Sequence, residues 1–225
     1  MKLIIFSSIF TLIMAQSTTS NPISVIGSEC TAPYPFDIIV ERKSGGNMVI
    51  TDMNNNTLLK VKACNTTFHY ERAIFNADGR IILRLRDKII SQHNRWKAYR
   101  GDNRSNKNMI FTTKQPNMIQ FKTSLHVFLA NKDVCDFKVK GSWSKRKCKI
   151  YTGDSASSTI AQMYKKDKSK KVKMDKNKFM VTIYPNVDYV FVVALIAIVD
   201  AMKTVDKDYA EKMVETNAQV IGATA

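Results

Sequence analysis

Between residues 34 and 183 the chain is a series of short apolar runs broken by turn residues. Leu83-Arg84-Leu85-Arg86 alternates apolar and basic, the period of a strand covered on one face. Gly45-Gly46-Asn47, the polar stretch 52–57 and Asp78-Gly79 read as tight turns. The pattern predicts strands at 37–40, 48–51, 58–61, a run ending at Phe75, 83–86, 95–100, 108–113, 118–122, 126–130, 137–143, 148–151, 160–164 and 179–183. That is about a dozen strands with turns every 8–12 residues, the spacing of a barrel or sandwich.

At Asn186 the pattern changes. Residues 187–202 are mostly apolar, and the run 189–199 holds 11 apolar residues without interruption. A membrane span needs about 20, whereas a run of 10–14 suits a helix buried in a protein core. A helix that is apolar on every face has to be surrounded. The expected architecture is therefore mainly β: a closed barrel of about 12 strands around a buried hydrophobic C-terminal helix at 187–202, with Asn186 or Asp188 as its cap. A membrane span with Asp188 and Asp200 near the headgroups stands as the alternative. The expected organisation is an upstream extension over 1–13, a flexible lead over 14–33, the barrel domain over 34–204 and a polar tail over 205–225.

Composition narrows the classes. Apolar residues make up 44% of the 225, enough for a core, and Gly 8 with Pro 5 excludes collagen-like or low-complexity chains. Lys+Arg 35 against Asp+Glu 19 gives a net charge of +16, which attracts polyanions without choosing among nucleic acid, anionic lipid and acidic partners.

Two readings of the first residues compete. Lys2, the apolar run 3–14 and Ala15-Gln16-Ser17 have the outline of a signal peptide, and Asn55, Asn65 and Asn103 head sequons that would carry glycans on a secreted chain. Equally, Met14 with the small polar residues after it makes a soluble start. Cys30, Cys64, Cys135 and Cys148 are widely spaced and form no C-x-x-C. Reduced thiols in an intracellular protein are expected, with secretion as the alternative.

A search for catalytic chemistry gives little. The sequence has no G-x-S-x-G, Walker loop or H-E-x-x-H. His69, His93 and His126 have no acidic neighbour at helical spacing, and Cys135-Asp136 and Asp154-Ser155 read as structural. No enzyme activity and no cofactor or metal site is expected. The positive charge is concentrated instead. Lys165, Lys166, Lys168, Lys170, Lys171, Lys173, Lys176 and Lys178 with two aspartates give residues 165–178 a net charge of +6. Lys145, Arg146 and Lys147 form a second group, and Arg95, Lys97, Arg100 and Arg104 a third, interleaved with Trp96 and Tyr99. The first two groups are the candidate patch for anionic lipid. No helix-turn-helix, zinc finger or RNP motif supplies base readout, so nucleic acid is the alternative ligand.

Several stretches together resemble the plant LURP-one-related family. They are Pro33-Tyr34-Pro35-Phe36-Asp37, Arg95-Trp96-Lys97-Ala98-Tyr99-Arg100-Gly101-Asp102, Val127-Phe128-Leu129-Ala130 and Cys135-Asp136-Phe137-Lys138-Val139-Lys140-Gly141-Ser142. Tyr151-Thr152-Gly153-Asp154-Ser155, Ala161-Gln162-Met163 and Pro185-Asn186-Val187-Asp188-Tyr189 continue the match, so that it covers about residues 21–204. The resemblance implies the tubby-like C-terminal fold, a 12-stranded barrel around a hydrophobic helix. It implies an intracellular protein starting near Met14, with a link to pathogen defence. By fold analogy with membrane-tethered transcription factors and phospholipid scramblases, it implies a non-enzymatic regulatory protein that binds phosphoinositide. The expected form is a monomer in the cytoplasm with peripheral membrane and nuclear pools and protein partners not identified by the sequence. Scramblase-like relatives carry an acidic run before the helix. Here that region offers only Asp175 and Asp188, too few oxygens for calcium.

Overall fold

Twelve strands form, several of them, such as Phe36–Arg42, Met48–Thr51, Ile81–Asp87 and Thr123–Leu129, from stretches whose burial alternates with period two. A computed structural model describes residues 22–88, 95–116, 122–130, 132–153, 158–164 and 177–204. The strands are β1 (Phe36–Arg42), β2 (Met48–Thr51), β3 (Thr57–Ala63), β4 (Glu71–Asn76), β5 (Ile81–Asp87) and β6 (Trp96–Arg100). They continue with β7 (Met109–Lys114), β8 (Thr123–Leu129), β9 (Phe137–Ser142), β10 (Lys147–Thr152), β11 (Thr159–Tyr164) and β12 (Lys178–Ile183). A helix, α1, follows at residues 189–204. Each strand pairs antiparallel with its sequence neighbours, and β12 returns to β1, so the barrel is closed and has no free edge. An even strand number lets an up-and-down chain close with an antiparallel seam.

The seam pairs Phe36 with Ile183 through to Glu41 with Lys178. On its outer face, Asp37 accepts hydrogen bonds from the hydroxyls of Tyr164 (3.0 Å) and Thr182, which also bond each other, so β1, β12 and β11 are clasped together. Inside, Ile38, Val40, Ile50, Leu59, Leu83, Leu85, Val127 and Val181 point to the axis and are no more than 1% exposed. Arg84 and Arg86, alternating with Leu83 and Leu85, fall on the outer face, as the period requires. Gly141 in β9 has φ +142, and a Cβ there would lie 2.1 Å from the carbonyl oxygen of Lys147, so only glycine lets β10 pass.

The helix fills the barrel. A 16-residue helix is about 24 Å long, close to the span of the 6- and 7-residue strands around it. Twelve strands enclose a space between that of an eight-stranded, side-chain-filled barrel and a porin channel, enough for one helix. From Val190 to Val199 no residue of α1 is more than 4% exposed. Phe191 packs against Phe111 and Phe137 with ring centroids 5.4 and 4.9 Å apart. Leu195, Ile196 and Val199 face the β9–β12 wall across a cavity of about 10 Å³. No helix among the described residues is long and apolar enough to cross a membrane.

The expected barrel and its central helix are present, with three differences. The helix starts at 189 because Val187 is held in a parallel bridge to Ile23, and Asp188 is the cap, its carboxylate accepting from the Phe191 N–H at 3.0 Å. The expected strand at 126–130 is the second half of β8, which begins at Thr123; residues 118–121 of the other expected strand lie outside the described residues. Over its described part, 22–33, the segment expected to be a flexible lead is packed. Ile26 and Cys30 are 4% and 6% exposed, and the backbone is tied to Asn186 and Asp188. The cause is the open upper rim of the barrel, where α1 begins and apolar surface needs a cover. Residues 1–21 and the expected tail at 205–225 lie outside the described residues.

Candidate polyanion-binding site

The barrel has two rims. The upper rim is where α1 begins; the lower is where it ends at Asp200 and Lys203. Connectivity brings the Lys145–Lys147 turn and the two described ends of the lysine-rich segment, Tyr164 and Lys178, to the lower rim. β10 begins at Lys147, directly after the turn that holds Lys145 and Arg146, and its neighbour β11 ends at Tyr164. The lysine-rich segment therefore leaves the barrel from the strand next to that turn and rejoins it at Lys178, the first residue of β12. Lys165, Lys166, Lys168, Lys170, Lys171, Lys173 and Lys176 lie outside the described residues. Lys178 is 3.5 Å from Glu41 across the seam, a surface ion pair.

Lys145 and Lys147 are exposed, but Arg146 is not part of the solvent face expected for it. It is 8% exposed. Its backbone turns through φ 53, which swings the side chain inward, and its guanidinium lies 4.8 Å from the ring centroids of both Trp143 and Phe179. Cation–π attraction and the covered rings make that inward position favourable.

Arg146 joins residues on which the sequence reading placed no weight. Arg42 continues the inward parity of Ile38 and Val40, and Arg72 that of Ile74, so both strands end by aiming an arginine into the lower rim. Asp200 stands among them at 1% exposure. Arg42 Nε lies 2.7 Å from an Asp200 oxygen, close enough for an ion pair although not aligned as a directed hydrogen bond. Burial raises the Asp200 carboxyl above its ordinary range, and Arg42, Arg72 and Arg146 oppose that rise. Burial also pulls Arg72 and Arg146 down from their ordinary values, yet guanidinium stays ionised. Arg72 is 1% exposed; its Nη1 donates to Asn65 Oδ1 at 2.7 Å and to the Glu71 carbonyl at 2.8 Å.

The third basic group does not form one patch. Trp96 points inward at 2% exposure. Arg100 donates to the Ile26 carbonyl at 2.6 Å on the upper rim. Arg104 binds Glu71 at 2.8 Å on the outer wall, where Arg86 (3.2 Å) and Arg84 (3.7 Å) join it and Arg84 also pairs with Asp102. Burial raises the Tyr99 hydroxyl beside this network.

The remaining candidates have structural work. His69 Nδ1 lies 3.0 Å from Asp87, a pair that helical spacing could not anticipate because it forms across strands, and it ties the β3–β4 loop to β5. Asp136 accepts from the Leu129 N–H at 2.9 Å and pairs with Lys132, closing the β8–β9 turn. Cys135 donates to the Phe137 carbonyl. Ser155 and His93 lie outside the described residues. All four cysteines are thiols. Burial pushes Cys30 up to about 12 and Cys148 up to about 11, which makes both poor nucleophiles at neutral pH. Asn55, Asn65 and Asn103 are exposed, although Asn65 Oδ1 is committed to Arg72 and to the Glu71 N–H. Among the described residues there is no cluster of three or more His, Cys, Asp or Glu placed to hold a metal.

Residues 37–200 match the model of the LURP-one-related family. The chain is 41% identical over 190 residues to protein LURP-one-related 15 of Arabidopsis thaliana, covering 81% of this chain and 87% of that one. It is 39% identical over 193 residues to LURP-one-related 10 of the same plant, covering 82% and 99%. A crystal structure of an Arabidopsis thaliana protein is similar at TM-score 0.62 and 36% identity, over 80% of this chain and 98% of that one. The match runs from the first strand through the buried helix to Asp200, and the chain belongs to the LURP-one-related family.

Proposed function

We propose that this chain is a non-enzymatic binding module that docks reversibly on anionic membrane through the lower rim of its barrel, as an intracellular regulator in plant defence. The observation that carries the reading is the adjacency of β10 and β11, which gathers Lys145, Lys147, Lys178 and the ends of the lysine-rich segment onto one end of the molecule. The segment itself has a net charge of +6. Each lysine that reaches an anionic surface contributes about 1 kcal/mol, so four or five engaged lysines give weak, reversible docking. Lysine rather than arginine suits diffuse attraction to a surface.

The test is sedimentation of the protein with phosphatidylcholine vesicles containing phosphatidylserine or a phosphoinositide, at low and high salt. Attraction of this kind is screened over roughly 8 Å at physiological ionic strength, so binding falls steeply with salt. Changing Lys165, Lys166, Lys170 and Lys171 to Gln lowers vesicle binding by about tenfold or more, a loss of about 1.4 kcal/mol. Unchanged vesicle binding with loss of duplex DNA binding would make the protein a nucleic-acid binder instead.

A further inference from the structure

Among the described residues, the lower rim gathers more buried positive charge than its acid neutralises. Three guanidiniums converge there from separate elements: Arg42 from β1, Arg72 from β4 and Arg146 from the β9–β10 turn. The facing carboxylate is Asp200, and it supplies at most one negative charge. Lys203 lies three residues further along α1, close enough to Cys148 to favour its thiolate. The acids on the same strands are occupied on the outer wall: Glu41 with Lys43 and Lys178, Glu71 with Arg84, Arg86 and Arg104. Arg42 and Arg146 also repel each other, Arg42 adding to the burial that depresses Arg146. Among the described residues the positive excess is thus two charges, in a place where burial makes unpaired charge expensive.

The hydrogen bonding is incomplete at the same point. Arg42 Nε is engaged with Asp200 as an ion pair at 2.7 Å, but the buried Nε of Arg72 donates no hydrogen bond. A fully committed polar network would not leave a buried guanidinium nitrogen open. Among the described residues, Arg42 is where the cluster meets solvent, its side chain 31% exposed. Gly46, in the turn over Arg72, has φ +82, and a Cβ there would stand 2.7 Å from Arg72 Nη2; glycine leaves the room that this guanidinium occupies.

We infer that the lower rim is a binding site for a phosphomonoester held by Arg42, Arg72 and Arg146, with Asp200 keeping the three guanidiniums aimed at one point. The charge and geometry select that class. A phosphomonoester carries about −1.5 to −2 at neutral pH, the size of the excess, and its oxygens match the fork of a guanidinium. The phosphate can come from a soluble inositol phosphate or from a lipid headgroup. The second source rests on the proposed membrane docking; the site itself does not.

The experiment uses the full-length chain and inositol trisphosphate, with uncharged inositol as control. The protein has two tryptophans, and Trp143 stacks on Arg146, so phosphate binding reads out as a change in tryptophan emission that a Trp143→Phe variant removes. Inositol trisphosphate is expected to change the emission and raise the melting temperature, and inositol to do neither. Arg42→Met, at a part-exposed side chain, lowers the affinity about tenfold or more. Asp200→Asn lowers the melting temperature, and inositol trisphosphate restores much of the loss, because the ligand supplies the missing negative charge. Absence of trisphosphate binding, or equal binding by wild type and Arg42→Met, overturns the site. Vesicles distinguish the source. Trisphosphate bound without any vesicle binding keeps the site and sinks the docking reading. Vesicle binding that is insensitive to Arg42→Met, with no trisphosphate binding, sinks the site and keeps the docking.

Discussion

The two ends of α1 each bury an aspartate, and the two are treated in opposite ways. At the upper rim, Asp188 is fully buried and accepts from the backbone N–H groups of Ile26 (2.6 Å), Gly27 (3.3 Å) and Phe191 (3.0 Å). One carboxylate caps the helix and pins the segment that covers the rim. At the lower rim, Asp200 is as deeply buried but faces side-chain cations with no directed hydrogen bond. Neutral, fixed donors make a structural lock at one end. Ionised side chains around a single carboxylate make an electrostatic cluster at the other. A buried polar group therefore says little by its burial alone; the kind of partner decides whether it holds the fold or awaits a ligand.

The largest expected effect lies between the two ends. Ala194→Arg places an unpaired charge in the helix interior, at a position with 0% exposure, and should cost several kcal/mol, enough to yield no folded soluble protein. A cooperative melt in that variant would show that the helix is not enclosed, and the comparison of its ends would lose its basis.

Asp188→Ala comes next. It leaves three backbone donors unpaired and removes the helix cap, a loss of about 2–4 kcal/mol of unfolding free energy read from a lowered denaturant midpoint. The loss should be independent of salt, because its partners carry no net charge. A salt-sensitive loss at Asp188 would break the contrast with Asp200.

Acidity sharpens the comparison further. Burial raises the Asp188 carboxyl above its ordinary value, and its backbone hydrogen bonds oppose the rise. With the folded value above the unfolded one, the folded state binds the proton more readily in the interval between them. The contribution is then fully present below the unfolded value and is lost as pH rises through the folded one. Unfolding titrations of Asp188→Asn should therefore show a weaker gain on acidification than wild type. An identical slope would mean that Asp188 does not titrate in that interval.

The smallest effect is on the lysine segment. Replacing Lys165, Lys166, Lys170 and Lys171 by Gln should shift stability by no more than about 0.5 kcal/mol, since surface changes rarely exceed that. A larger shift in the melting curve would mean that these lysines belong to the packed lower rim rather than to its solvent side.

The sequence made parts of this site readable and hid others for identifiable reasons. Ile38, Val40 and Arg42 share one parity, as do Ile74 and Arg72, so continuing the alternation two residues would have turned both arginines inward. Arg146 gave no such signal, because its direction comes from a left-handed turn residue and from Phe179, more than 30 residues away. The pairing of His69 with Asp87 was hidden by the same rule in reverse: residues 18 apart meet only when a hairpin is in register.

Local pattern alone determined the strands, the all-round apolar helix and the need to enclose it, because burial period and run length are set by neighbouring residues. A cap from a short polar side chain before the apolar run, Asn186 or Asp188, was equally local, and the structure selected Asp188. Only the tertiary structure decided that residues 22–33 cover the upper rim, that the Lys145 turn adjoins the ends of the lysine segment, and that Arg42, Arg72 and Arg146 meet at Asp200. Those meetings depend on strand order and register around a closed barrel. Charge interacts through space, and nothing in the spacing of four ionised residues along a chain states how far apart they lie once the barrel closes.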